Sequence, residues 1–402
     1  MRGKIIVCLI LIIFSMTGAF AVSLNEVVKT ALEHNPEIAA AKADWEAAKA
    51  KIPQTLSLDD PRIGLEYEQI PSGSRNPEEG MKMYTFEQMI MFPGKIYAEW
   101  AMANQEAEMA QARYLKKARK ILAEVKAAYF DLFFIDRSLK INAENRELLN
   151  RLKKSAEAKY SAGQVTQADP LMAAVEAEMI ANELLNAGNE RKAAEAKLKA
   201  LLNRPAETAL AADELLAWLK VLDAAAYEKT ALEERPEILE MKAELNAIDA
   251  AHLKSKMEYF PDTMLGVKKR VDDGWDAMIS ISIPLYFWKQ SYGVSAAGLK
   301  REMAESALNN MRNMTIAEVR ETQAMAENAE RTVKLYADRL LPLSAQAVKI
   351  SQAAYQTGKV DFITFLGAQR NYRDAQLKYA ENQVKLGKAL AELEKIIGGE
   401  IK

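Results

Sequence analysis

Cysteine is all but missing: Cys8 is the only one in 402 residues. It falls in a segment with the marks of an export leader. Arg2 and Lys4 form a basic start, Ile5–Phe14 an apolar core, and Ala19 and Ala21 a small-residue cleavage site. Residues 1–21 are therefore expected to be a signal peptide. Its removal leaves no thiol for a disulfide, a thiolate metal site or a lipid anchor at the junction. Histidine is nearly as scarce, with His34 and His252 far apart and neither near another soft ligand. No metal site and no cofactor are expected. No paired catalytic carboxylates, nucleophile–base set or phosphate loop stands out, so no enzyme is expected either. After residue 21 no apolar run approaches the ~18 residues of a helical membrane span. An excess of one charge sign is also lacking. Without Arg2 and Lys4 the chain carries 52 basic and 56 acidic residues, well mixed, which excludes a nucleic-acid surface.

Glycine and proline are absent from residue 95 to residue 162. At ~1.5 Å per residue, that stretch can form one helix on the order of 100 Å long. Aromatics make up only 7%, and Ala, Glu, Lys and Leu dominate, as in long helices. Ile121, Val125, Ala128, Leu132, Ile135 and Leu139 step alternately by four and three, the seam of a coiled coil. Leu122, Tyr129 and Phe133 widen it. Gly163 interrupts the run, and a helix is expected to return from about Asp169, with Pro170 in its first turn, to Leu202.

The chain then does all this again. Residues 29–38 read KTALEHNPEI and residues 229–238 read KTALEERPEI, matching at eight of ten positions with an offset of 200. Further on the offset is 195. Phe92 matches Phe287, Tyr160-x-x-Gly163-x-Val165 matches Tyr355-x-x-Gly358-x-Val360, and Leu201-Leu202 matches Ile396-Ile397. A repeat of this length is half of a pseudo-symmetric body rather than a short solenoid unit. The expected divisions are a first repeat over 22–203, a connecting segment over 204–228 that includes Trp218, and a second repeat over 229–402. In the second repeat Pro342 is expected to kink the long helix. Leu386, Leu390, Leu393 and Ile397 mark the seam of its return.

The five residues lost between offsets lie where each repeat turns strand-like. Residues 62–70 and 81–92 in the first repeat, and 263–271 and 276–287 in the second, alternate apolar with polar. Asp272-Asp273-Gly274 turns the second hairpin. Ile63, Leu65, Tyr84, Phe86, Leu265, Val267, Ile279, Ile281, Ile283 and Leu285 take one face. Arg62, Glu66, Glu68, Lys268, Arg270, Ser280 and Ser282 take the other. Two hairpins leave open edges, and lipid tolerates only helices and closed barrels. Strands of roughly 9–11 residues are of membrane-spanning length. An exported chain of this kind can close a barrel by pooling strands from several copies, apolar side to lipid and polar side to the lumen. Met81, Met83, Met89 and Met91 share the lumen parity, as soft-metal contacts or as ordinary packing.

These features resemble the TolC-type outer-membrane efflux proteins over essentially the whole mature chain. The resemblance rests on the duplicated heads, the hairpins and the paired tips at 160–169 and 355–364. Glu87–Lys95 (EQMIMFPGK) resembles the strand-to-helix junction of the heavy-metal-exporting, CzcC/CusC-like branch. The resemblance implies a mainly α protein with a β-barrel part: a homotrimer with a twelve-stranded β-barrel in the outer membrane and a trimeric α-barrel reaching into the periplasm. It implies an exit duct for heavy-metal ions or small toxic compounds, served by a periplasmic adaptor and an inner-membrane pump of the RND type. Gly163, Val165, Gly358 and Val360 would form the adaptor-contact tips. Asp169 matches an acidic gating position and Tyr355 its tyrosine partner. Thr364 and Gly367 replace the acidic ring after the second tip; Asp361, nearby but out of register, is the third gating candidate. The rival reading is a periplasmic coiled-coil adaptor or tether.

Overall fold

The computed structural model describes residues 20–205, 210–212, 224–271 and 274–401. The leader up to residue 19, Trp218 and the Asp272-Asp273 pair lie outside the described residues. In chain order the elements are β1 (Phe20–Val22), α1 (Leu24–His34), α2 (Pro36–Lys51), β2 (Arg62–Glu68), β3 (Met81–Ile90), α3 (Pro93–Ser161), α4 (Ala168–Leu201), β4 (Leu210–Ala212), α5 (Ala224–Glu234), α6 (Pro236–Met257), β5 (Asp262–Arg270), β6 (Trp275–Ser282), α7 (Phe287–Leu335), α8 (Leu341–Gln356) and α9 (Phe362–Ile397). Three helices, α2, α3 and α6, begin on proline, whose missing N–H is an orphan at a first helical position anyway. Two compact units share these elements, one of residues 1–35, 121–221 and 324–391, the other of residues 36–120, 222–323 and 392–402.

Among the described residues, the regular structure of the first unit is helical apart from a parallel pairing of β1 with β4. Along α3, Ile121, Val125, Ala128 and Leu132 are buried, as are Leu122 and Tyr129 on the widened side. Ile135 and Leu139 are only half-buried. Phe130, off the seam, is also buried. It packs over Gly387 of α9, where a Cβ would come within 2.6 Å of its ring. The Pro342 kink takes the form of one π-helical turn at Tyr336–Leu340, between α7 and α8. A proline cannot supply the amide of the regular ladder, and the wider turn absorbs the mismatch.

The second unit carries a four-stranded antiparallel sheet, in the order β2-β3-β5-β6. Its register pairs Ile63 with Phe86, Phe86 with Val267, and Leu265 with Ile279, so the apolar side chains of all four strands share a face. That face is bare: Ile63 is 80% exposed and Ile279 73%. Leu386 and Leu390 in the first unit, and Leu393 and Ile397 in the second, are buried along α9.

Three expectations need correction. The strand anticipated to Phe287 stops at Ser282, because Pro284 cannot donate to a ladder; Ile283 and Leu285 lie beyond it. Likewise β3 stops at Ile90, before Pro93, which leaves Met91 and Phe92 outside the strand. The connecting segment expected over 204–228 holds β4 and the start of α5 at Ala224.

Candidate functional site

The two helical reversals, one ending α3 and one ending α8, are built alike. In the first, the Gly163 amide donates to the Tyr160 carbonyl (2.9 Å) and the Gln164 amide to the Lys159 carbonyl (2.9 Å). In the second, Gly358 donates to Tyr355 (3.2 Å) and Lys359 to Ala354 (2.8 Å). Both are helix C-caps of the Schellman type. The glycines sit at φ +69° and +68°, with nothing within 4 Å of where a Cβ would be. Only backbone conformation demands glycine there.

Around the second turn the chain assembles a site. Tyr355 is 7% exposed. Its ring lies 5.9 Å from Phe365, nearly parallel, and 5.4 Å from Phe362, edge on. Leu149 of α3 and Ala173, Ala177 and Ile180 of α4 complete the core, and Val360 packs against it. The Tyr355 hydroxyl reaches out of this apolar bed to donate to Asp169 Oδ2 at 3.4 Å. Lys159 Nζ stands 4.3 Å from the centre of the same ring and donates to the Tyr355 carbonyl at 3.4 Å. The ammonium against the ring's negative face is a cation–π contact. Burial, reinforced by the Asp169 carboxylate, pushes the Tyr355 phenol above its ordinary value, so it remains a donor at neutral pH.

Asp169 also accepts from the Thr166 hydroxyl at 3.3 Å. Asp361 points elsewhere: its carboxylate accepts from the Thr364 amide at 2.9 Å and caps the start of α9. Hydrogen bonds from Thr364, hydroxyl and amide, hold that carboxyl below the usual range. Between the turns lies a groove of about 760 Å³ whose lining includes Val165, Asp169, Tyr355, Gly358, Val360 and Ile363. Higher up, Arg370 of α9 pairs with the buried Glu176 of α4, and Arg373 with Glu183 at 3.6 Å. Lys159, Arg370 and Glu176 were missed from sequence. The signal available was divergence between repeats, since Lys159 corresponds to Ala354, Glu176 to Asn371 and Arg370 to Val175.

The residues expected to face a lumen form a second cluster, on the polar side of the sheet. Lys268 Nζ pairs with Glu66 at 2.6 Å and Glu68 at 3.5 Å, and Arg270 with Asp276 at 2.6 Å. Ser282 donates to the Asp262 carbonyl at 3.4 Å, and Ser280 lies across from Met264. Met83 is fully buried, in register with Glu66 and Arg270. Among the described residues no group of three or more His, Cys, Asp or Glu side chains is placed to hold a metal ion.

The model of the family described as outer membrane efflux protein matches residues 27–204 and 229–399, nearly all of both repeats. The cobalt-zinc-cadmium resistance protein CzcC of Cupriavidus metallidurans is 22% identical over 397 residues, covering 96% of this chain and 92% of that protein. Solved structures share the fold. The outer-membrane channel OprN superposes with a TM-score of 0.79 at 19% identity, over 94% of this chain and 90% of that one. CusC gives 0.79 at 16%, over 95% and 94%, and VceC of Vibrio cholerae 0.78 at 18%, over 94% and 97%. The chain belongs to the outer membrane efflux protein family and is an outer-membrane exit duct of a tripartite efflux system.

Proposed function

We propose that this duct is a homotrimer that does no chemistry of its own and is held shut at its helical tips by the Tyr355–Asp169 bond. Three copies of the four-stranded sheet would make a twelve-stranded barrel, with the bare Ile63–Ile279 face against lipid and the Glu66, Glu68, Lys268, Arg270, Ser280 and Ser282 face lining the lumen. The long helices would continue it into the periplasm. An adaptor's helical hairpins would seat in the groove between the Gly163 and Gly358 turns. An inner-membrane pump of the RND type would supply the energy. Heavy-metal ions are the favoured cargo, given the likeness to CzcC, with small toxic compounds as the wider class.

The observation that carries the gate is that one phenol, Tyr355, ties the α8 turn of the second repeat to α4 of the first. One such bond is worth only ~0.5–3 kcal/mol. Repeated around a trimer it reaches several kcal/mol, enough to bias a two-state closure. Asp169→Ala combined with Tyr355→Phe should raise leak conductance in planar bilayers and admit large antibiotics, with the assembly intact because the helical seams are untouched. A double variant as electrically closed as the parent would remove this bond from the gate.

A further inference from the structure

The apolar face of the sheet is not apolar throughout. The strand register stacks its side chains in rows. Ile63, Phe86, Val267 and Ala277 share one row. The next row towards the hairpin turns holds Leu65, Tyr84, Lys269 and Trp275. In the row beyond, Lys82 lies opposite Tyr67, and its carbonyl accepts from the Val271 amide at 3.1 Å. Lys82 and Lys269 are thus diagonal neighbours on adjacent strands, on the face that carries Ile63 and Ile279.

Their surroundings differ from those of the cations on the polar face. Lys268 and Arg270 each meet a carboxylate at 2.6 Å. Neither Lys82 nor Lys269 has a carboxylate partner among the described residues: Lys269 donates to the Gly274 carbonyl at 3.3 Å, and Lys82 Nζ lies 5.7 Å from the centre of the Tyr84 ring. Lys269 is exposed, as are Tyr84 and Trp275. The lysines also stand outside the duplicated pattern. The shifts that superpose the hairpins put Ala277 in the place of Lys82 and Gln69 in the place of Lys269.

An unpaired ammonium on a lipid-facing strand is costly at the midplane and nearly neutral at the interface. Tyrosine and tryptophan collect at that same level. The row of Tyr84 and Trp275 therefore marks the headgroup region. Helices α3 and α7 leave from the opposite ends of β3 and β6. With those helices on the periplasmic side, the lysines lie towards the outer leaflet. Two like charges side by side call for an anion between them. Side chains rooted ~7–8 Å apart on diagonal positions, and long enough to snorkel, can converge on one phosphate. A phosphomonoester carries about −1.5 to −2 charges and neutralises both. A phosphatidylcholine headgroup brings its own cation and does not. We propose that Lys82 and Lys269 bind the phosphomonoester headgroup of an outer-leaflet lipid, with the Tyr84 ring between them.

This site rests on the proposed lipid-facing orientation of the sheet, and the test separates the two. The full chain is reconstituted in phosphatidylcholine vesicles that contain either bis-phosphorylated lipid A or the same glycolipid stripped of its phosphates. It is then extracted in mild detergent and weighed by native mass spectrometry. The parent should retain the phosphorylated lipid several-fold more than the stripped one. Lys82→Gln with Lys269→Gln should abolish that preference, and Lys82→Arg with Lys269→Arg should keep it. Equal retention of the two lipids by the parent would overturn the site, and this comparison decides even where a double variant fails to assemble. An undiminished preference in the glutamine variant would overturn it too. Millimolar inorganic phosphate should compete weakly; erasing the preference would make this a free-anion site and overturn the lipid assignment. A preference that emerges only with Asp272→Asn and Asp273→Asn would assign the lysines to the turn and overturn the site. A nitroxide on Ile279→Cys, in a Cys8→Ala background, reports the orientation. Relaxation by oxygen places this face in lipid, so a lipid-buried label without any phosphate preference sinks the lysine site alone. A label relaxed chiefly by a water-soluble nickel chelate would overturn the orientation itself.

Discussion

The two helical turns have the same backbone and opposite surroundings. Gly163 and Gly358 take the same φ and close the same pair of capping bonds. Yet Tyr160, three residues before the first glycine, is 45% exposed, while Tyr355, three before the second, is 7% exposed and hydrogen-bonded. The strand–helix junctions repeat the pattern, with Lys95 ion-paired to Asp262 and its counterpart Gln290 holding an orphaned acceptor. Even the duplicated head obeys it. The mismatched Asn35 donates to the Leu201 carbonyl at 2.8 Å, and its counterpart Arg235 to Thr315 at 3.0 Å and Glu318 at 2.8 Å. Matched positions build the repeated backbone, while side chains at mismatched positions, and even at the matched Tyr160 and Tyr355, make contacts that differ between its two copies.

The sheet gives the largest test, because there the repeats should behave identically. Phe86 and Ile281 are counterparts, exposed on the same apolar face. Phe86→Arg and Ile281→Arg should each cost ~2–4 kcal/mol near the bilayer midplane, read as loss of folded protein in lipid unfolding titrations. Glu87→Arg and Ser282→Arg, one residue on, should be mild. If one apolar position tolerated arginine and its counterpart did not, the repeats would not share a lipid face.

The junctions should break the symmetry. Lys95→Met removes the partner of a partly buried carboxylate. We expect a loss of roughly 2–3 kcal/mol, below the ~3–5 for a fully buried pair, because Asp262 keeps some solvent and the Phe92 amide at 2.8 Å. Gln290→Met should cost far less in a single copy, since no bond is lost. Equal losses in chemical denaturation would mean that the Lys95 pair contributes nothing specific.

How much of this was legible follows the same division. Long helices, hairpins and tips could be read because they rest on local signals: absence of Gly and Pro, period-two alternation, and a glycine where φ must be positive. Strand ends were overrun where apolar alternation continued through Ile283 and Leu285, although Pro284 between them forbids the ladder. Asp169 and Tyr355 were found through family likeness, and the fold brings them together. Lys159 was not found, because a lysine on a helix rich in lysines carries no local mark of the ring it will cover. Asp361 was read as a candidate for gating and caps a helix instead, a role that its place directly before α9 would have suggested.

Next in size come the turns, where the repeats should again agree. Valine at either glycine must take a left-handed conformation costing ~1–2 kcal/mol or more for a β-branched residue. Neither site has a neighbour to clash with, so Gly163→Val and Gly358→Val should destabilise equally. The double variant should keep its oligomer and lose export. Normal export from it would take the turns out of adaptor docking.

The smallest effect is the most diagnostic. Tyr160→Phe removes an exposed hydroxyl and should change nothing. Tyr355→Phe removes the donor to Asp169 and should cost ~0.5–1.5 kcal/mol per copy, seen as a modest rise in leak conductance. The sign with pH follows from the raised phenol. The bond contributes fully below the ordinary tyrosine value near ~10 and is lost as pH climbs through the higher folded value, where tyrosinate faces the Asp169 carboxylate. Conductance of the parent should therefore rise in that alkaline window, and the Tyr355→Phe variant, already lacking the hydroxyl, should lose that part of the rise. A rise abolished by Tyr160→Phe instead would exchange the roles of the two turns and undo the asymmetry drawn here.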